Sequence, residues 1–210
     1  SVITCGRCSR ACRRNAQQGR ERLLRMRELA NGRQAQAMII VCALLAYATV
    51  LLGTFVYDDV HAVRDNVAIR ALSNIPCFYF DVDLFSSIDC RMYRPVVLTS
   101  YAIDYAVGQG AAWTFKLTNL ILHASVAVAL YHVMARLKAS PSAALLSACL
   151  FAAHPLASEA VNTLSGRSEL GVALGLLLGL LAHERARTQL RWALATTLCA
   201  LLACGCKELG

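Results

Sequence analysis

Apolar residues in this chain gather into stretches close to the length of a bilayer crossing, and the charges between them alternate in sign from one gap to the next. A helix needs roughly 20 consecutive apolar residues to cross the hydrocarbon core. Hydrophobic residues make up 57% of the 210-residue chain and charged residues 16%, a balance too apolar for an ordinary soluble domain. The pattern predicts an all-α polytopic membrane protein with about five transmembrane helices, near residues 37–56, 115–135, 141–153, 170–182 and 192–204. The last three are short, so their ends are set only to within several residues.

Cations mark one side of this bundle. Residues 1–36 hold nine arginines against Glu21 and Glu28. Arg136 and Lys138 follow the second span, and Arg185, Arg187 and Arg191 follow the fourth. Cytoplasmic loops carry such an excess, so residues 1–36 read as a basic cytoplasmic tail and residues 37–210 as the membrane domain. The net charge of +8 is therefore a membrane flank and not a nucleic-acid surface. Residues 57–112 then form a large first loop on the lumenal side. It is acidic, with Asp58, Asp59, Asp65, Asp81, Asp83, Asp89 and Asp104 against four arginines. Its interspersed Ile69, Leu72, Ile75, Phe78, Phe80, Leu84 and Phe85 predict short interfacial helices and not open coil.

The unusual polar residues at the membrane edge all fall on that same side: Asp58, Asp59, His154, Glu159, Arg167, Glu169, Lys207 and Glu208. Two adjacent carboxylates at a membrane edge are costly to desolvate unless paired or used. One of Asp58 and Asp59 can serve as a general base if its neighbour raises its pKa; the plain alternative is an acidic helix end. Arg167 suits a phosphate, whose oxygens its fork can grip two at a time. The alternative is a salt bridge to Glu169 or Glu159. His154 is a structural hydrogen-bonder or a cavity residue with Glu159. Lys207 and Glu208 either cap the fifth span or add a cation to an anion site. Lys116 can snorkel to the surface, and His123 is expected to be bonded between helices.

No glycine-rich phosphate loop is present. Gly171, Gly175 and Gly179 form a small-residue stripe whose plain meaning is close helix packing in lipid. The ten cysteines show no metal-ligand pattern, and no metal is expected. Cys42, Cys149, Cys199 and Cys204 lie in spans, and Cys5, Cys8 and Cys12 lack a matching second pair. Cys77 and Cys90 could pair if their loop is lumenal.

Several stretches in order carry a resemblance. They are Phe55-Val56-Tyr57-Asp58-Asp59 with Asn66, Tyr93-Arg94-Pro95 with Ser100-Tyr101, and Asn119 with Leu122-His123. Phe151-Ala152-Ala153-His154-Pro155 with Glu159-Ala160-Val161, then Gly166-Arg167-Ser168-Glu169 and Lys207-Glu208, complete the set. Over residues 55–210 the chain resembles the transmembrane and TPR repeat-containing O-mannosyltransferases of the GT-C glycosyltransferase class. The family pattern usually has a histidine where Lys116 stands and an asparagine where Asp104 stands.

The resemblance implies a GT-C-like helical bundle in the endoplasmic reticulum membrane. It implies transfer of mannose from dolichyl phosphate mannose, a lipid-linked sugar donor and not a cofactor, to Ser or Thr of secretory or cell-surface proteins. By that likeness Asp58 or Asp59 is the catalytic base. Charge adds Arg167, and with it Lys207, at the donor phosphate, and Glu169, His154, Glu159 and Glu208 around the same lumenal pocket. The chain starts at Ser1 and stops just past an apolar run, with no TPR period. It is therefore expected to be a fragment, inactive alone. A non-catalytic membrane scaffold acting through a TPR region is the alternative. A transporter is disfavoured, because the span interiors are nearly free of ionisable residues.

Overall fold

A computed structural model of the chain describes residues 32–88 and 91–207. Every regular element among them is helical. The first helix, α1 (Gly32–Leu52), tightens into a 3-10 turn over its last residues, Ala48–Leu52. Short turns follow at Val60–Arg64, Ala68–Arg70, Leu72–Tyr79 and Val82–Phe85. Then come α2 (Pro95–Gly108), α3 (Ala112–Arg136), α4 (Pro141–Ala153), α5 (Ser158–Asn162), α6 (Arg167–Ala186) and α7 (Arg191–Cys206). The arginine-rich tail, Cys5, Cys8, Cys12, Asp89, Cys90 and Glu208 lie outside the described residues.

Local chemistry sets several boundaries. Proline is preorganised for the first helical position, where its missing N–H is not needed. Pro95 and Pro141 stand at the starts of α2 and α4. The Ser140 hydroxyl accepts the Ala143 N–H, at 3.3 Å, as the N-cap of α4. Helix α2 stops where Gln109 turns left-handed at φ 50°, followed by Gly110 at φ 87°.

The five predicted spans are not equal. Only α1 and α3 are long and apolar enough, among the described residues, to cross a membrane on those grounds. A third crossing exists if α4 and Pro155–Asn162, bent by 48°, count as one span. Helix α7, at 16 residues, is a shorter apolar helix. The 20 residues of α6 include Arg167, Glu169, Glu184 and Arg185.

The region read as a loop is a folded layer. Its short turns and α2 share a core in which Val63, Ile69, Phe78, Phe85, Leu98 and Tyr101 are buried. Phe115, Leu164 and Cys206 complete that core, so the stretch buries its apolar surface against the helices. Helix α6 packs against α3 and, most extensively, against α7. The glycine stripe forms the α6–α7 seam, as expected: a Cβ on Gly175 would lie 2.9 Å from that of Ala203. A second apolar cluster, around Ile39, Ala127 and Ala148, joins α1, α3 and α4.

Candidate functional site

The two adjacent aspartates face opposite ways. Between α1 and the first turn, Tyr57 takes a left-handed backbone at φ 47°, unusual for a residue with a Cβ. Such strain persists only where the surroundings over-determine it. Just after it, Asp59 is wholly buried. One of its oxygens accepts the Leu164 N–H at 2.7 Å and the other the Val56 N–H at 3.3 Å. Burial pushes the Asp59 carboxyl above its ordinary pKa, against those N–H groups and the nearby Lys116 ammonium. Lys116 is itself buried, at 3% exposure, and donates to the Asn162 carbonyl at 2.9 Å. It reaches inward and does not snorkel.

Asp58, by contrast, is 68% exposed at its side chain and lies 3.5 Å from Nε2 of His61. It lines a cleft of about 460 Å³ together with His61, Arg94, Glu159, Ser168 and Glu169. Asp59 is not part of that lining. One wall comes from the first turn with Phe85, Met92 and Arg94, the other from α5 and the start of α6. Within that second wall α5 packs tightly on the entry to α6: a Cβ on Gly166 would sit 2.5 Å from the Ala160 Cα, so only glycine fits between the backbones.

Arg167 holds the bundle and does not reach the cleft. It is 2% exposed and pairs with Asp104 at 2.6 Å, not with Glu169 or Glu159. Its remaining donors reach Asn119 Oδ1 at 2.8 Å, Ser100 Oγ at 2.9 Å and the Phe115 carbonyl at 2.7 Å. Its guanidinium lies 4.7 Å from the Tyr101 ring centroid. These contacts draw α2, α3 and α6 together. All three guanidinium nitrogens are engaged inside the bundle, and Arg167 is absent from the cleft lining, so it is not placed to meet a phosphate there.

The other predicted residues divide in the same way. Glu159 and Glu169 line the cleft and are exposed. Lys207 is bonded to Glu169, bringing the end of α7 to the rim. His154 does not line the cleft. Its ring accepts the Leu156 N–H at 3.2 Å, capping the turn after α4, while its carbonyl accepts the Tyr47 hydroxyl. His123 is buried and bonds the Ala152 carbonyl at 3.0 Å, between helices as expected. A carbonyl only accepts, so Nε2 carries the proton.

Arg94 is the cleft residue that sequence reasoning left without a role, although Tyr93-Arg94-Pro95 belonged to the matched stretches. Its Nη1 donates to Ser168 Oγ at 3.1 Å, its guanidinium lies 5.2 Å from the Phe85 ring centroid, and its Nε has no partner. The first N–H groups of α6 are already taken by turns onto Leu164, Ser165 and Gly166. Positive character in the cleft thus comes from Arg94 and not from a free helix end.

The chain is similar to curated proteins of one kind. Protein O-mannosyl-transferase Tmtc2 of Drosophila melanogaster is 33% identical over 158 residues, 71% of this chain and 16% of that protein. Protein O-mannosyl-transferase TMTC2 of Mus musculus is 31% identical over 189 residues, 83% of this chain and 22% of that protein. The human protein O-mannosyl-transferase TMTC4 is 28% identical over 203 residues, 84% of this chain and 27% of that protein. The chain thus spans between 16% and 27% of the length of these relatives. No family model and no solved structure matches it.

Proposed function

This chain belongs to the TMTC protein O-mannosyl-transferase family, and from that premise we propose that its cleft is where mannose passes from dolichyl phosphate mannose to a Ser or Thr hydroxyl. The acceptors are proteins of the secretory pathway. The cleft opens to the lumen of the endoplasmic reticulum, with the arginine-rich tail in the cytosol. The observation that carries the reading is the division of the aspartate pair: Asp58 lines the cleft, while Asp59 is buried under backbone donors.

Asp58 is the general base. The acceptor oxygen attacks the anomeric carbon and its proton passes to the Asp58 carboxylate. The bond from that carbon to the phosphate oxygen breaks, and dolichyl phosphate leaves with the electron pair. Arg94 takes the phosphate: it is a cation lining the cleft, on the wall opposite α5. A guanidinium there stabilises the leaving charge more in the transition state than in the ground state. Arg167 acts from behind, by fixing the start of α6.

The reading is tested with the full-length protein, labelled dolichyl phosphate mannose and an acceptor peptide rich in Ser and Thr. Arg94→Ala is expected to raise KM for the donor and lower kcat, while an Arg94→Lys variant recovers part of both. Donor kinetics unchanged in Arg94→Ala would remove Arg94 from the phosphate site.

A further inference from the structure

We infer that His61 and Ser86 form a positioning device for Asp58, holding its carboxylate in the orientation from which it takes the acceptor proton. This rests on the assignment of Asp58 as the base. Three observations carry it. Nε2 of His61 faces Asp58 Oδ1 at 3.5 Å. On the other edge of the same ring, Nδ1 lies 2.7 Å from Ser86 Oγ. Ser86 is 9% exposed, and its oxygen accepts the Ile88 N–H at 3.2 Å.

The Ser86 oxygen, already accepting from Ile88, has its own hydrogen to give. Donated to Nδ1, it leaves the ring proton on Nε2, the nitrogen on the Asp58 side of the ring. The main chain repeats the connection: the Ser87 N–H donates to the His61 carbonyl at 2.9 Å. The ring is thus held at one edge by a buried hydroxyl and offers an N–H at the other. An exposed carboxylate has several rotamers, and a fixed donor on one oxygen selects among them. Oδ1 is then engaged by the imidazole, and Oδ2 remains to receive the proton from the acceptor. Arg94, Glu159 and Glu169 line the same cleft, but none has a bond to Asp58. His61 is itself none of the matched motif residues and sits one turn after Asp58, on the short turn Val60–Arg64.

The experiment compares four variants of the full-length protein at equal amounts of inserted, stable material, with kcat and KM for donor and acceptor measured separately. His61→Phe keeps a ring of similar size and removes both nitrogens. It is expected to lower kcat by up to roughly a hundredfold with KM unchanged, as misplacement of a catalytic group does. His61→Gln puts an N–H where Nε2 stands and is expected to recover most of the loss. Ser86→Ala, which keeps the imidazole but releases its Nδ1 edge, is expected to give a smaller loss in kcat alone. Asp58→Asn separates the two ways to fail. If Asp58→Asn is inactive while His61→Phe has the wild-type kcat, the role given to His61 is overturned and the cleft assignment stands. A loss as deep in His61→Gln as in His61→Phe also overturns it. If Asp58→Asn transfers mannose at the wild-type rate, both fall together.

Discussion

Asp59 accepts the backbone N–H of Leu164 at 2.7 Å, across 105 positions of chain. This bond ties the exit of α1 to the segment between α5 and α6, the two sides of the cleft. Removing its acceptor in Asp59→Ala leaves the buried N–H of Leu164 facing no oxygen, and the part-buried N–H of Val56 with it. An unsatisfied buried donor costs about 1–3 kcal/mol. Thermal unfolding in a lipid nanodisc is expected to show that loss.

The same carboxyl gives a pH dependence of known sign. Burial raises its folded pKa above the ordinary aspartate value of about 3.9, while backbone N–H groups and Lys116 oppose the rise. A raised folded pKa means its contribution is complete below the ordinary value and declines as pH rises through the folded one. The stability difference between the wild type and Asp59→Asn is therefore expected to shrink as pH increases across that window. A difference that grows with pH contradicts the assignment.

Arg167 and Asp104 form a buried pair, and breaking such a pair from one side strands a charge. Arg167→Met is expected to lose roughly 3–5 kcal/mol, and the double variant with Asp104→Leu to recover part of it. A double variant as weak as the sum of the single changes would show that the pair is not coupled.

The α6–α7 seam predicts a contrast between two glycines. Gly175→Leu drives a side chain into Ala203 and the Cys199 carbonyl, and overpacking of this kind costs about 1–3 kcal/mol. Gly179→Ala meets only the Cys199 Cβ, at 3.5 Å, and is expected to be neutral. Unfolding temperatures of the two variants check the contrast.

Much of this was legible in the residue order because membrane helices are written locally. The apolar stretches, the glycine stripe and the bonded His123 follow from composition and period alone. The aspartate pair was equally visible, but its division was not. It rests on the bond from Leu164, 105 positions along the chain, to Asp59, which no residue type announces. Arg167 read as an edge cation because its partner Asp104 lies 63 positions earlier, on a helix that passed for loop. Lys116 looked free to snorkel because its acceptor, the Asn162 carbonyl, belongs to a turn far along the chain. His61 stood in plain view one turn from Asp58, yet its use depends on Ser86, which only the folded layer brings near.

The most direct test sets Asp58→Asn beside Asp59→Asn in the full-length protein, scoring mannose transfer per folded molecule. Asp58→Asn is expected to retain donor binding and lose transfer by about a hundredfold or more, the usual contribution of a general base. Asp59→Asn is expected to be less stable yet to keep most of its turnover. Wild-type transfer by Asp58→Asn, or loss of turnover in Asp59→Asn alone, would place the chemistry on the wrong carboxylate.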